Sequence, residues 1–146
     1  MNQLAIIKTF VGREFTDSPS PFMRWLNPVV LSAEAGALVF RYRIRAEWLN
    51  PLGNLHGGVT AAIMDDVIGA TMFSLDEDFF YTTINNVIDY FSAATVGELL
   101  IAETSVVKQG KQFIHAQCEL WNADKSRLIA KGISNLFKTT MRRGDP

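Results

Sequence analysis

The sequence predicts an α+β fold in which an antiparallel β-sheet of about five to six strands wraps around one long central helix. Three observations predict it. From Ala37 to Glu47 the chain alternates apolar Leu38, Phe40, Tyr42, Ile44 and Ala46 with Val39, Arg41, Arg43, Arg45 and Glu47, the period of a strand with one face buried. From Gly57 to Leu75 apolar residues fall on nearly every side of a helical projection for about five turns, and such a helix belongs inside a structure. Tyr81 to Phe91, Glu98 to Lys108, Lys111 to Trp121 and Arg127 to Thr139 are each of strand length and rich in β-branched and aromatic residues. A curved sheet around one buried helix covers all of these apolar faces at once.

The remaining elements follow in chain order. Leu4, Ile7 and Val11 sit at helical spacing, so a short amphipathic helix is expected near residues 2–10, packing as a lid. The stretch from Asp17 to Pro28 holds Pro19, Pro21 and Pro28 among helix-capping residues and is expected to be a loop with one or two helical turns. Asn50-Pro-Leu-Gly-Asn ends the first strand. A tight turn at Gln109-Gly110 and a looser one from Asn122 to Ser126 join the last three strands into a meander. A single domain over 1–146 is expected, with an N-terminal helical segment to about residue 28 and the core over about 29–140; no repeat or low-complexity tract interrupts it.

Composition narrows the function. The 146 residues are 48% apolar and 20% charged with a formal net charge of -1, too weak a field to recruit nucleic acid or an anionic membrane. Cys118 is the single cysteine, so no intrachain disulfide forms, and Met1 to Gly12 lacks the basic start and apolar run of a signal peptide. The longest apolar stretch, Val59 to Leu75, is broken by Asp65 and Asp66 and falls short of a membrane span. A cytoplasmic location is expected. The two histidines and one cysteine lie too far apart in sequence for a recognisable metal set.

Chemistry concentrates on the central helix. His56-Gly57-Gly58 strips side chains from its first turn, leaving N–H groups that have no intrahelical partner at the positive end of the dipole. Such groups can polarise a carbonyl oxygen, although paired glycines equally suit a tight turn from strand to helix. Asp65 and Asp66 are carboxylates in a helix that otherwise reads as buried, so at least one must meet a cavity, a partner chain or a hydrogen-bond network. In projection Asp65 falls near Ala61 and Gly69, where space remains, whereas Asp66 falls among Val59, Ala62, Ala70 and Phe73 and suits a structural hydrogen bond. Eight residues at about 1.5 Å each separate Gly57 from Asp65 by roughly 12 Å. If both act on one bond, the Asp65 must come from a second, antiparallel copy.

The run Asn50-Pro-Leu-Gly-Asn-Leu-His-Gly-Gly-Val-Thr-Ala-Ala-Ile-Met-Asp resembles the signature of the PaaI-like hotdog thioesterases, and Val-Lys-Gln-Gly-Lys at 107–111 resembles that family's CoA-proximal hairpin. The similarity runs from about Pro21 to Thr139. It implies a hotdog fold, hydrolysis of acyl-CoA thioesters without a cofactor, CoA being part of the substrate, and a homodimer or a homotetramer built as a dimer of dimers. By position it implies that the Gly57 amide polarises the thioester carbonyl with help from Asn50, that His56 lies close by, and that Asp65 of the neighbouring subunit activates water or attacks directly. Thr83 stands where relatives often carry a serine that positions water. Gly58, Tyr90, Lys108, Gln109, Gly110 and Lys111 would line the CoA site, the ammonium groups near phosphates.

Each assignment has a plainer rival: a turn partner for His56, edge-guarding charges for Lys108 and Lys111, a solvated sheet face for Arg41, Arg43 and Arg45, and a structural place for His115. Two other functions compete. A non-catalytic acyl-CoA binding or sensing protein would have no use for both Asn50 and Asp65. A hydroxyacyl-thioester dehydratase would carry a proline-glycine pattern after its histidine, which His56-Gly57-Gly58-Val59 lacks.

Overall fold

Apolar residues all round the central segment give a helix, α3, over Gly57–Phe73, with Ile63, Met64, Val67 and Ile68 fully buried. Each such side chain removed from water contributes about 1.5–3 kcal/mol. The computed structural model describes residues 2–146. Before α3 come α1 (Gln3–Thr9), α2 (Pro21–Leu26), β1 (Val29–Glu34), β2 (Ala37–Arg43) and a 3-10 turn (Ala46–Trp48); after it come β3 (Phe79–Tyr90), β4 (Leu99–Gln109), β5 (Phe113–Asn122) and β6 (Leu128–Arg142). The strands form one antiparallel sheet in the order β1-β2-β4-β5-β6-β3. The inner face of the sheet presents Phe40, Tyr42, Leu100, Ile114, Cys118 and Leu136 to the helix. Gly132 on β6 lets α3 come close, because a Cβ there would lie 2.6 Å from the Met64 Sδ.

The expected hairpins at Gln109-Gly110 and Asn122–Ser126 join β4, β5 and β6 as a meander. Three features depart from the sequence reading. β1 was not anticipated, because a bulge between Val30 and Ser32 breaks its alternation. β2 ends at Arg43 and not near Glu47, since the chain turns to bury Trp48 completely; Arg45 therefore lies over the rings of Trp25 and Trp48, 4.5 and 4.8 Å from their centroids, and not on a solvated face with Arg41 and Arg43. β3 does not neighbour β4. It runs to the far edge of the sheet beside β6, where no described strand pairs with its outer rim.

β3 also changes face partway. Thr83 is opposite Leu136 and Asn85 is opposite Asn135, so Ile84 is an extra residue, a β-bulge. Before it Thr83 points towards α3; beyond it Asn86 and Tyr90 do, as their hydrogen bonds to Asp65 and Gly57 require.

The N-terminal helices cover one side of α3, as the lid expectation had it. The Asn2 side chain caps α1 by accepting from Ala5 N (2.8 Å), and Asp76 Oδ1, from the α3–β3 loop, accepts from Gln3 N and Leu4 N (2.8 and 3.3 Å). Ser20 caps α2 at Met23 N (3.1 Å), with Pro21 in the first turn, and its hydroxyl donates to Asp66 Oδ1 (3.2 Å). Among the described residues no helix is long and apolar enough to cross a membrane, and no group of three or more His, Cys, Asp or Glu side chains gathers as a metal would need.

Candidate active site

Asp65 leaves the buried face of α3 and lines a cavity of about 260 Å³ bounded by α1, α2, α3 and β3. Its Oδ1 accepts from Thr83 Oγ1 and from Asn86 Nδ2, both at 3.0 Å, so one oxygen is held and Oδ2 makes no protein hydrogen bond. The cavity wall beyond is apolar, with Ile7, Phe15, Met23, Phe73, Phe79 and Phe80, and Gly69 opens space one helical turn from Asp65 as projected. Phe22 and Trp25 stack on each other at 5.8 Å on the outer surface of α2, because the register of that short helix turns Met23 and Leu26 inward.

Asp66 lines the same cavity as Asp65 but is more buried. Burial pushes its carboxyl up to about 6; the Ser20 hydrogen bond pulls the other way, and the charge of Asp65 adds to the rise. The structural hydrogen bond expected of it is the one from Ser20.

The start of α3 is built by three neighbours. His56 is its N-cap, and its Nδ1 accepts from Gly58 N at 2.8 Å, so a neutral ring carries its proton on Nε2. The Gly58 amide is thereby occupied and unavailable to a ligand, which corrects the expectation that both glycine amides stand open. Gly57 N–H has no partner among the described residues. Tyr90, expected to line a CoA site, donates its hydroxyl to the Gly57 carbonyl at 3.0 Å and packs its ring where a Gly57 Cβ would lie only 3.3 Å from Cε1. A side chain at 57 would crowd that ring by a few tenths of an ångström. Asn50 Oδ1 accepts from Leu52 N and Asn54 N (3.0 and 3.1 Å), which fixes the turn before the helix and leaves its NH2 free to donate.

The chain therefore divides the expected site. Asp65 and Thr83 are together, with Asn86 added; Asn50, His56, Gly57, Gly58 and Tyr90 form a second group about 12 Å along the helix. The β4–β5 hairpin forms a third. There Gln109 donates to Glu77, which also takes Tyr81 (2.8 Å) and Lys138 (2.9 Å), while Lys108 and Lys111 are exposed and make no ion pair among the described residues. His115 bonds Asn135 (2.8 Å) on the outer face of the sheet, the structural place expected. Asn86 and Ser20 escaped the sequence reading. Ser20 carried a signal as a capping residue before Pro21, but Asn86 lay on the wrong strand parity until the bulge was known.

This helix-in-sheet frame with its split site defines a class. The sequence model of the thioesterase superfamily matches residues 52–129, more than half of the chain, and the protein belongs to that family and is a thioester hydrolase. Acyl-coenzyme A thioesterase 13 of Mus musculus is 31% identical over 112 residues, 76% of this chain and 80% of that protein. Zebrafish thioesterase superfamily member 2 superposes with a TM-score of 0.76 at 26% identity, covering 93% of this chain and 95% of that one. A Streptococcus mutans protein solved with acetyl CoA bound shares the fold, with a TM-score of 0.74 at 24% identity over 80% of this chain and 92% of that one. The hotdog arrangement expected from the sequence is the one observed.

Proposed function

We propose that the protein hydrolyses acyl-CoA thioesters as a homodimer or dimer of dimers, each site combining Gly57 of one protomer with Asp65 of the other. One observation carries this reading: the unpartnered Gly57 amide and the cavity-lining Asp65 carboxylate sit about 12 Å apart on one helix, and both residues hydrogen-bond the edge strand β3, Gly57 through its carbonyl. Antiparallel pairing of two β3 edges would set the two helices antiparallel. With the two-fold axis near Val87, halfway between the Asp65 contacts at Thr83 and Asn86 and the Gly57 contact at Tyr90, each carboxylate would oppose the other chain's amide. Ile84, Val87 and Phe91, each more than half exposed, would be covered by that pairing.

In the reaction Gly57 N–H, aided by the Asn50 NH2, donates to the thioester carbonyl oxygen, where charge develops. Water attacks the carbonyl carbon, Asp65 Oδ2 takes its proton, and the tetrahedral intermediate expels CoA thiolate. If Asp65 attacks directly, it forms a mixed anhydride and expels CoA thiolate, and water that then opens the anhydride at the Asp65 carbonyl carbon in a single turnover in H₂¹⁸O leaves the label in that carboxylate. The chemistry calls for no cofactor. The acyl group occupies the cavity, which is too small for CoA as well, and Lys108 and Lys111 offer charge to the CoA phosphates. The buried lone cysteine suits a cytoplasmic location.

The test is complementation. Asp65→Asn and Gly57→Pro proteins should each be nearly inactive on acyl-CoA in a thiol-trapping assay. Mixed and reassembled one to one, half of the dimers are hybrids with one intact site in two, so about a quarter of wild-type activity returns. No return on mixing, with hybrids demonstrated, would sink the shared site.

A further inference from the structure

Asn86 stands apart from the residues already assigned. Its Nδ2 donates to Asp65 Oδ1 at 3.0 Å, and its own Oδ1 accepts from Ser134 Oγ in a short hydrogen bond. Ser134 is buried on β6 at 1% exposure and is the cross-strand register partner of Asn86. An amide side chain can turn over and offer either its oxygen or its NH2. Here the two neighbours choose together: turned over, the amide oxygen would face the carboxylate, acceptor against acceptor. The Ile84 bulge brings Asn86 to this side of β3, since without it residues 83 and 86 would point to opposite faces.

We infer that Asn86, locked by Ser134 and delivered by the Ile84 bulge, is a positioning residue that fixes the torsion of the Asp65 carboxylate and keeps Oδ2 turned towards the reacting water. This rests on Asp65 being the reacting carboxylate. Thr83 bonds the same Oδ1 from the other side of the bulge, so the two donors form a clamp that neither makes alone. Ser134 does not line the cavity, and its hydroxyl bonds Asn86.

Asn86→Leu keeps the size of the side chain on an exposed strand position and removes the donor. It is expected to lower kcat by about 10- to 100-fold while KM stays within about threefold, because the misplaced group matters in the reaction and not in binding. Ser134→Ala is expected to cost about 3- to 10-fold in kcat, and the Asn86→Leu/Ser134→Ala protein to be no slower than Asn86→Leu alone. A crystal structure of Asn86→Leu should show the Asp65 carboxylate rotated from its present torsion. An Asn86→Leu protein within about twofold of wild type, or additive losses in the double variant, would overturn the inference. If the wild-type protein turned over no acyl-CoA, the enzymatic reading would fail, and an unmoved Asp65 in the Asn86→Leu crystal would still reject the clamp on its own.

Discussion

The start and the middle of α3 meet the same edge strand in different ways. At Asp65 the contact is between side chains: two donors from β3 grip one carboxylate oxygen and leave the other open to a cavity. At Gly57 the contact is with backbone: His56 occupies the neighbouring amide, Tyr90 holds the carbonyl, and the Gly57 N–H makes no hydrogen bond among the described residues. A carboxylate has a free torsion and must be clamped. An amide at a helix start is already fixed by the helix, so its neighbours need only clear space around it. The carboxylate contact should therefore be sensitive to loss of polar partners, and the helix start to added atoms.

The largest effects should come from the two reacting groups. Asp65→Asn removes the proton acceptor and should cost about 10²- to 10⁴-fold in kcat with unfolding midpoint and oligomer unchanged. Gly57→Pro should cost about 10²- to 10³-fold, since proline is accepted at the first helical position but has no N–H. Gly57→Ala sharpens the contrast: it keeps the N–H and adds only the Cβ that meets Tyr90 at 3.3 Å, so the kcat difference between the two variants isolates the hydrogen bond from the crowding. If the alanine protein were as inactive as the proline one, crowding and not the amide would govern this end.

A smaller effect is expected at Tyr90. Tyr90→Phe keeps the ring over Gly57 and loses one hydrogen bond of about 1 kcal/mol, which should lower kcat by roughly 3- to 10-fold. A loss as large as that of Gly57→Pro would mean that Tyr90 itself meets the substrate.

Asp66, in the wall of the cavity with Ser20, should show its clearest effect in stability. Its carboxyl, raised by burial from the ordinary 3.8 to about 6, binds its proton more tightly in the folded chain than in the unfolded one. Its contribution therefore favours folding at low pH and is lost as pH rises from about 4 to 6. Asp66→Asn keeps an acceptor for Ser20 and should stabilise the protein at pH 7.5 by on the order of 1–2 kcal/mol, discounted for partial exposure, with the gain vanishing near pH 4. Denaturant melts at the two pH values check it; an equal gain at both would remove the charge from the explanation.

How far the sequence could be read depended on whether a residue's neighbours were local. The length of α3, the alternation in β2 and the two hairpin turns are governed by residues a few positions apart, and they were legible. The 12 Å separation of Gly57 from Asp65 was legible too, since it depends only on helical rise. β1 was hidden because its bulge disrupts the period that reveals a strand. The place of β3 at the sheet edge was hidden because no local rule says which strand a crossing helix delivers to which neighbour. Asn86 was hidden by the same device that gives it a role, the extra Ile84 that reverses the strand's faces.

By itself the sequence determined a helix apolar all round, the strands that must cover it, and two chemical groups held apart on its axis, because pitch and pattern are properties of the covalent chain. Only the tertiary structure decided which amide stays free and which oxygen of Asp65 is held. Those outcomes depend on the bond that His56 accepts from Gly58 and on the bonds that Thr83 and Asn86 donate to Asp65; the first is local, and the other two join residues far apart in sequence.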